Sequence, residues 1–170
     1  MVQGLRERKK RFVREINRFA EVGSLIGGML VGCMTGVVTY GVVMRYIVKA
    51  PVGWSEEVST YLMIWTVFLG ASYTLMEDAH IRVDFLISKI SEKARCRLNL
   101  FGYCVGLFFS GLLFWKGMEM VYYSLKFGDR SIGTGFPLFI PELSVPVGSF
   151  SLFLQFAVKV LSLISSSCET

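Results

Sequence analysis

An uncharged run occupies residues 22–44 and reads VGSLIGGMLVGCMTGVVTYGVVM. A helix rises about 1.5 Å per residue, so this run is long enough to cross a hydrocarbon core about 30 Å thick. It is too long for the apolar part of a signal peptide, and no small-residue cleavage pattern follows it. The run therefore predicts a membrane-spanning helix that is kept in the protein.

Three further apolar runs follow, at residues 58–76, 98–123 and 141–164. Hydrophobic residues make up 53% of the chain and charged residues 18%, whereas a soluble domain is about a quarter charged. We therefore predict an all-α integral membrane protein with four transmembrane helices in one membrane domain, residues 22–165, and a short tail, 166–170. Pro137, Pro141 and Pro146 lie where the fourth helix begins, and the sequence does not say which of them opens it.

Two charged segments keep apolar residues at helical spacing. Residues 1–21 are basic, with Ile16 and Ala20 among the apolar positions, and predict an amphipathic helix on an anionic leaflet. A solvated basic tail is the alternative. Residues 77–97 show the same pattern and predict a second interfacial helix.

Lysine and arginine counts predict the orientation. The segment before the first span has seven and the 77–97 loop has five, whereas the loops at 45–57 and after the third span have two each. Because basic loops stay in the cytoplasm, both termini are expected there. The basic residues flank apolar runs, so the net charge of +5 indicates lipid headgroups rather than nucleic acid.

Enzymatic chemistry has little support in the sequence. There is one histidine, His80, and the four cysteines form no CxxC pair, so we expect no catalytic, cofactor-binding or metal-ligating residues. No carboxylate lies in the middle of the first two spans. Since buried ionisable groups usually mark transport pathways, this argues against a self-contained proton-coupled pump.

Small residues recur every four positions on two of the spans. Gly28, Gly32 and Gly36 share one face of the first, and Gly102 and Gly106 repeat the pattern in the third. Such residues let helices approach closely in lipid. The pattern fits contact within the four-helix unit and docking onto a larger membrane partner equally well.

The segment Trp54-Ser55-Glu56-Glu57 precedes the second span. Ser55 is suited to cap the helix, the glutamates then lie in its first turn, and Trp54 suits the headgroup region. Arg45, at the end of the first span, is placed to pair with Glu56 or Glu57, which would join the two helices.

These features together resemble a known family, the small DctQ-type membrane subunit of TRAP (tripartite ATP-independent periplasmic) transporters. The resemblance covers nearly the whole chain and rests on an ordered set of motifs. They are Arg45-Tyr46, Trp54-Ser55-Glu56-Glu57, Trp65, Phe68-Leu69-Gly70-Ala71, His80-Ile81-Arg82-Val83-Asp84 and Pro146-Val147-Gly148.

The resemblance implies a function in the bacterial inner membrane. The chain would be the stationary scaffold beside a large DctM-type subunit that holds the substrate and sodium sites, while a periplasmic binding protein delivers an organic acid. Import would be driven by a sodium gradient, and this chain would carry no cofactor. The family-typical positions, with structural and partner-facing roles, are Arg45, Trp54, Glu56, Glu57, Gly70, His80 and Asp84.

Two other functions remain open from the sequence. One is an autonomous small transporter or channel, for which Thr35, Thr39, Thr66 and Ser110 are the polar candidates along a path. The other is the membrane anchor of an oxidoreductase, although a single histidine cannot supply two axial haem ligands.

Overall fold

The computed structural model of the chain describes residues 2–77 and 92–167. Helices account for most of these residues, which confirms the predicted all-α class. In chain order they are α1 (Val2–Tyr46), α2 (Trp54–Met76), α3 (Glu92–Phe127), the single turn α4 (Phe139–Glu142) and α5 (Ser144–Ser167).

In the described part of the chain, four helical segments are long and apolar enough to cross a membrane, as predicted. They are Val13–Tyr46, Trp54–Met76, Arg97–Phe127 and Phe139–Leu163, the last formed by α4 and α5 together. The helices are longer than the predicted spans, because helical geometry continues into the flanking charged residues. The cytoplasmic placement of both ends stays a prediction.

The basic segment and the first span form one continuous helix, α1. A helix in this segment is thus present, and its placement on a leaflet stays a prediction. Its apolar face is not wholly turned to lipid, since Ile16 and Ala20 are buried within the protein, with 7% and 0% exposure. The segment 77–97 lies outside the described residues except for Glu77 and the start of α3 from Glu92.

The helices pack in a row rather than in a closed bundle. α1 packs on α2, α2 on α5, and α5 on α3, while α1 touches α5 only lightly. Within the described residues α1 and α3 make no substantial contact. The last helix in the sequence therefore lies between the second and the third.

The interfaces between these helices are built mainly from small side chains. Apart from Pro141 and Pro146, the buried apolar side chains of the described residues are only Ile16, Ala20, Leu75 and Val121, whereas the buried polar residues are eight serines and Gln155. Lipid tails are as apolar as a leucine side chain, so helices in a membrane gain more from close packing than from burying large apolar groups. Most large apolar side chains accordingly face outward.

The first turn of α2 corrects one sequence prediction. Its N-cap residue is Gly53, and no side chain caps the helix. Ser55 does not cap it, because Ser55 already lies inside the first turn and its hydroxyl donates instead to the carbonyl of Val52 at 3.0 Å. The glutamates do lie in this turn, as expected.

The structure also locates the prolines of the fourth span. Pro141 lies within the turn α4, and Pro146 lies in the first turn of α5. Proline is tolerated there because its missing N–H has no partner in a first helical turn. Pro137 precedes both helices and forms an isolated bridge with Arg130.

Among the glycines of the described residues, Gly148 of α5 comes nearest to the backbone of another helix, at Phe68 of α2. A Cβ at this position would lie 2.5 Å from the Cβ of Phe68 and 2.7 Å from its carbonyl oxygen. Because backbone atoms of α2 are involved, a rotamer change cannot relieve the clash. Glycine at position 148 therefore sets the distance between the two central helices.

We expect Gly148→Ala to destabilise the purified chain by about 1–3 kcal/mol, as for other overpacked interiors. Gly36→Ala is the matched control, because nothing lies within 4 Å of a Cβ at Gly36. Thermal unfolding in detergent measures both. A Gly148→Ala chain that unfolds at the wild-type temperature would contradict the close approach of α2 and α5.

Candidate functional site: polar helix contacts and an open helix face

Arg45 and Glu56 join the end of α1 to the first turn of α2. The guanidinium Nη2 donates to Glu56 Oε1 in a salt bridge, and the two side chains are 52% and 68% exposed. The sequence left the acidic partner open between Glu56 and Glu57, and the structure selects Glu56. Such an exposed pair stabilises a protein by less than about 1 kcal/mol.

Glu57 makes a separate and larger set of contacts, with the loop between α3 and α4. Its carboxylate accepts hydrogen bonds from the hydroxyls of Ser131 and Thr134, the latter at 2.8 Å. It also accepts from the backbone N–H groups of Gly133 at 2.9 Å and Thr134 at 3.2 Å. One acidic side chain thus holds the loop against the start of α2.

The loop itself is closed by backbone hydrogen bonds. The backbone N–H of Ser131 donates to the Phe136 carbonyl at 2.9 Å, and the backbone N–H of Gly135 donates to the Ser131 carbonyl at 3.0 Å. Gly128 and Gly135 have φ angles of 66° and 67°, a region that favours glycine. The loop therefore has a defined shape, which brings four donor groups together around Glu57.

A second set of polar contacts lies at the opposite end of the helices. Gln155, 1% exposed, places its Nε2 at 3.4 Å from the Ile16 carbonyl and 3.4 Å from Asn17 Oδ1, which joins α5 to α1. Lys159 places its Nζ at 3.4 Å from the carbonyl of Met76, at the end of α2. A cation near a helix C-terminus is favoured by the helix dipole.

Neither Gln155 nor Lys159 was among the site residues predicted from the sequence. A signal was available, because both are isolated strongly polar residues in an apolar run, and such residues usually face other helices. The first two spans have no carboxylate in their middle, but the fourth span does contain an ionisable residue, Lys159.

The glycine stripe of α1 does not serve contact within the described chain. Gly28, Gly32 and Gly36 are exposed, and nothing lies within 4 Å of a Cβ at any of them. Contact with α2 is made by other glycines: a Cβ at Gly23 would lie 3.3 Å from the Leu69 carbonyl oxygen, and one at Gly41 would lie 2.6 Å from Ser55 Oγ.

The two glycines predicted for packing on α3 differ in the same way. A Cβ at Gly106 would lie 2.5 Å from the ring of Phe156, so Gly106 serves the contact between α3 and α5. Gly102 is exposed, with nothing within 4 Å of a Cβ.

The family-typical residues fall into three groups. Arg45, Trp54, Glu56 and Glu57 meet at one end of α1 and α2, where the Trp54 ring lies 5.7 Å from that of Tyr40. Gly70 is half-buried in α2, with nothing within 4 Å of a Cβ. His80 and Asp84 lie outside the described residues.

The polar residues considered for a transport path bond to their own helices. Thr35, Thr39 and Thr66 each donate to the carbonyl four residues earlier, at 2.8–2.9 Å. Ser110 donates to the Leu107 carbonyl at 3.0 Å. Their hydroxyl protons are therefore used locally, which does not favour an autonomous channel.

The fold and these contacts define a multi-pass membrane protein whose polar side chains fasten helices to one another. Residues 34–166 match the family described as "Tripartite ATP-independent periplasmic transporters, DctQ component". The chain belongs to this family, whose members are components of transporters and not enzymes.

Several named proteins are similar to the chain. The C4-dicarboxylate TRAP transporter small permease protein DctQ of Vibrio cholerae is 28% identical over 77% of this chain and 67% of its own length. The protein of the same name from Rhodobacter capsulatus is 25% identical over 61% of this chain and 45% of its own. The isethionate TRAP transporter permease protein DctMQ of Oleidesulfovibrio alaskensis is 26% identical over 81% of this chain but only 22% of its own.

We expect Glu57→Ala to loosen the loop between α3 and α4, because four donors lose their common acceptor. Amide exchange at Gly133 and Thr134 should become faster, since local opening then costs less free energy. Arg45→Ala is the control and should leave these amides unchanged. Hydrogen-exchange mass spectrometry of residues 128–138 measures the effect, and wild-type exchange in Glu57→Ala would refute the role of Glu57.

Proposed function

We propose that this chain is the small, stationary membrane subunit of a TRAP transporter and supports a large subunit during sodium-driven import of an organic acid. A periplasmic binding protein would deliver that acid. The substrate and sodium sites would belong to the large subunit, so this chain would need no cofactor of its own.

One observation carries the proposal: polar contacts fasten the row of helices at both ends, while the glycine face of α1 stays open. Glu57 holds the loop after α3 at one end, with a small addition from the exposed Arg45–Glu56 pair, and Gln155 and Lys159 join the helices at the other end. A row held in this way resists sliding of one helix past its neighbour. That property suits a support rather than a moving element.

The relatives support a large membrane partner. The isethionate permease DctMQ matches this chain over only 22% of its own length, and the sialic acid permease SiaT of Haemophilus influenzae over 14%. In these proteins a region similar to this chain is joined to a much longer one. The glycine face of α1 is the surface on which we place the contact, because glycines allow two helices to approach closely in lipid.

The proposed orientation follows from the charge counts, while the packing shows only which helix ends lie together. The start of α2 and the loop after α3 meet through Glu57 and therefore lie at one end of the helices. At the other end of the helices, Gln155 of α5 contacts the N-terminal half of α1. Lys159 of α5 contacts the end of α2 there. We place the first end in the periplasm and the second in the cytoplasm.

Reporter fusions test this orientation. Fusions after residue 168 and within residues 77–97 should report a cytoplasmic location, and a fusion within residues 128–135 a periplasmic one, because basic loops remain inside. A periplasmic signal after residue 168 would mean that the orientation is reversed or the number of spans is wrong.

Replacing Gly32 with leucine tests the docking face. We expect most of the co-purified large subunit to be lost, because a large side chain would keep the partner helix at a distance. The isolated chain should unfold as the wild type does, since nothing lies within 4 Å of a Cβ at Gly32. Pull-down of the tagged complex from membranes measures assembly.

Val31→Leu is the matched control for Gly32→Leu, because Val31 is also exposed on α1, at 42%, but lies outside the glycine stripe. It should leave assembly intact. Normal assembly and uptake in Gly32→Leu would remove Gly32 from the docking face, whereas failure of every wild-type pull-down would count against the large partner itself.

A further inference from the structure

A cavity of about 250 Å³ opens between α1 and α2 near the ends that Arg45 and Glu56 join. Its walls include Val38, Val42, Arg45, Glu56 and Ser59, with Gly41 on the α1 side. The two helices approach closely at Gly41, where an added Cβ would lie 2.6 Å from Ser55 Oγ. The cavity is thus a formed gap between two closely packed helices.

The lining of the cavity changes from apolar to charged along the helices. Val38 and Val42, 46% and 49% exposed, lie about two turns and one turn before Arg45, which lies near the end of α1. The rings of Tyr40 and Trp54, which do not line the cavity, lie 5.7 Å apart near the same ends of α1 and α2. Tyrosine and tryptophan are enriched at the headgroup level of membranes, which places the charged end at that depth.

The charged end offers one cation and one anion with spare hydrogen-bonding capacity. A guanidinium has five N–H donors, and the salt bridge to Glu56 is made by one nitrogen of Arg45. A carboxylate likewise accepts several hydrogen bonds. Because the pair is largely exposed and therefore weak, a ligand that supplies both opposite charges can insert between its members.

We propose that this cavity binds a zwitterionic phospholipid with a primary ammonium headgroup, such as phosphatidylethanolamine. Its phosphate would bind Arg45, its ammonium would donate to Glu56, and an acyl chain would lie along Val38 and Val42. A phosphate alone would meet the repulsion of Glu56. A choline headgroup carries no N–H and cannot donate to the carboxylate.

Fluorescence quenching by brominated lipids tests the site in the full-length chain. Trp54 is made the only tryptophan by Trp65→Phe and Trp115→Phe, and the chain is reconstituted in phosphatidylcholine vesicles. A small fraction of phosphatidylethanolamine, phosphatidylcholine or phosphatidylglycerol, brominated close to the headgroup, is added in parallel samples. We expect about fivefold higher relative affinity for phosphatidylethanolamine than for the other two, as for one exposed charge-assisted contact.

Single substitutions test the roles of Glu56 and Arg45 in lipid binding separately. Glu56→Gln should abolish the preference for ethanolamine over choline, and Arg45→Gln should lower the affinity for phosphatidylethanolamine. The control is Glu119→Gln, which removes the partner of Lys116 in another exposed ion pair, on α3, and should keep the wild-type preference.

Several results would overturn the proposal. If the ethanolamine and choline lipids quenched Trp54 of the otherwise unchanged chain equally, the proposal would be refuted. Stronger quenching by phosphatidylglycerol would indicate a site for phosphate alone. Displacement of phosphatidylethanolamine by inorganic phosphate would indicate a free anion as the ligand, and an unchanged preference in Glu56→Gln would exclude the carboxylate.

Discussion

The arrangement of this protein depends on the close contact between α2 and α5 at Gly148. Lipid gives little reward for burying large apolar side chains, so the helices are held by dense packing of small ones. Glycine at this position lets the last helix lie directly against the backbone of the second. Once α5 is placed there, its other side is available to α3, and α1 is left at the outer edge of the row.

Polar contacts then fix the ends of the helices, where the packing of small side chains gives little directional information. Glu57 gathers four donors from one loop, and Lys159 reaches the last carbonyl of α2. These contacts lie near helix ends because backbone groups there lack partners within the helix. They prevent sliding that small, smooth interfaces would otherwise permit, which is consistent with a supporting role beside a larger subunit.

The open face of α1 and the cavity near Arg45 are different kinds of surface. The face carrying Gly28, Gly32 and Gly36 is smooth and uncharged, and a helix of another protein is its natural counterpart in a membrane. The cavity carries two opposite charges, which suits a single small headgroup. α1 can therefore contact a protein partner and a lipid at the same time.

The sequence by itself determined the membrane class, the four spans and the joining of α1 to α2 through Arg45, because uncharged length and interfacial charges are local properties of a chain. It also indicated the family, through motifs whose order is visible without a structure. It did not determine the row order of the helices, the choice of Glu56 over Glu57, or which glycines face inward. Those features depend on residues far apart in the chain, as when Gln155 meets Ile16 or Glu57 meets Ser131. Only the tertiary structure decided them, because a repeat of small residues makes a helix face able to pack but does not specify which helix will pack there.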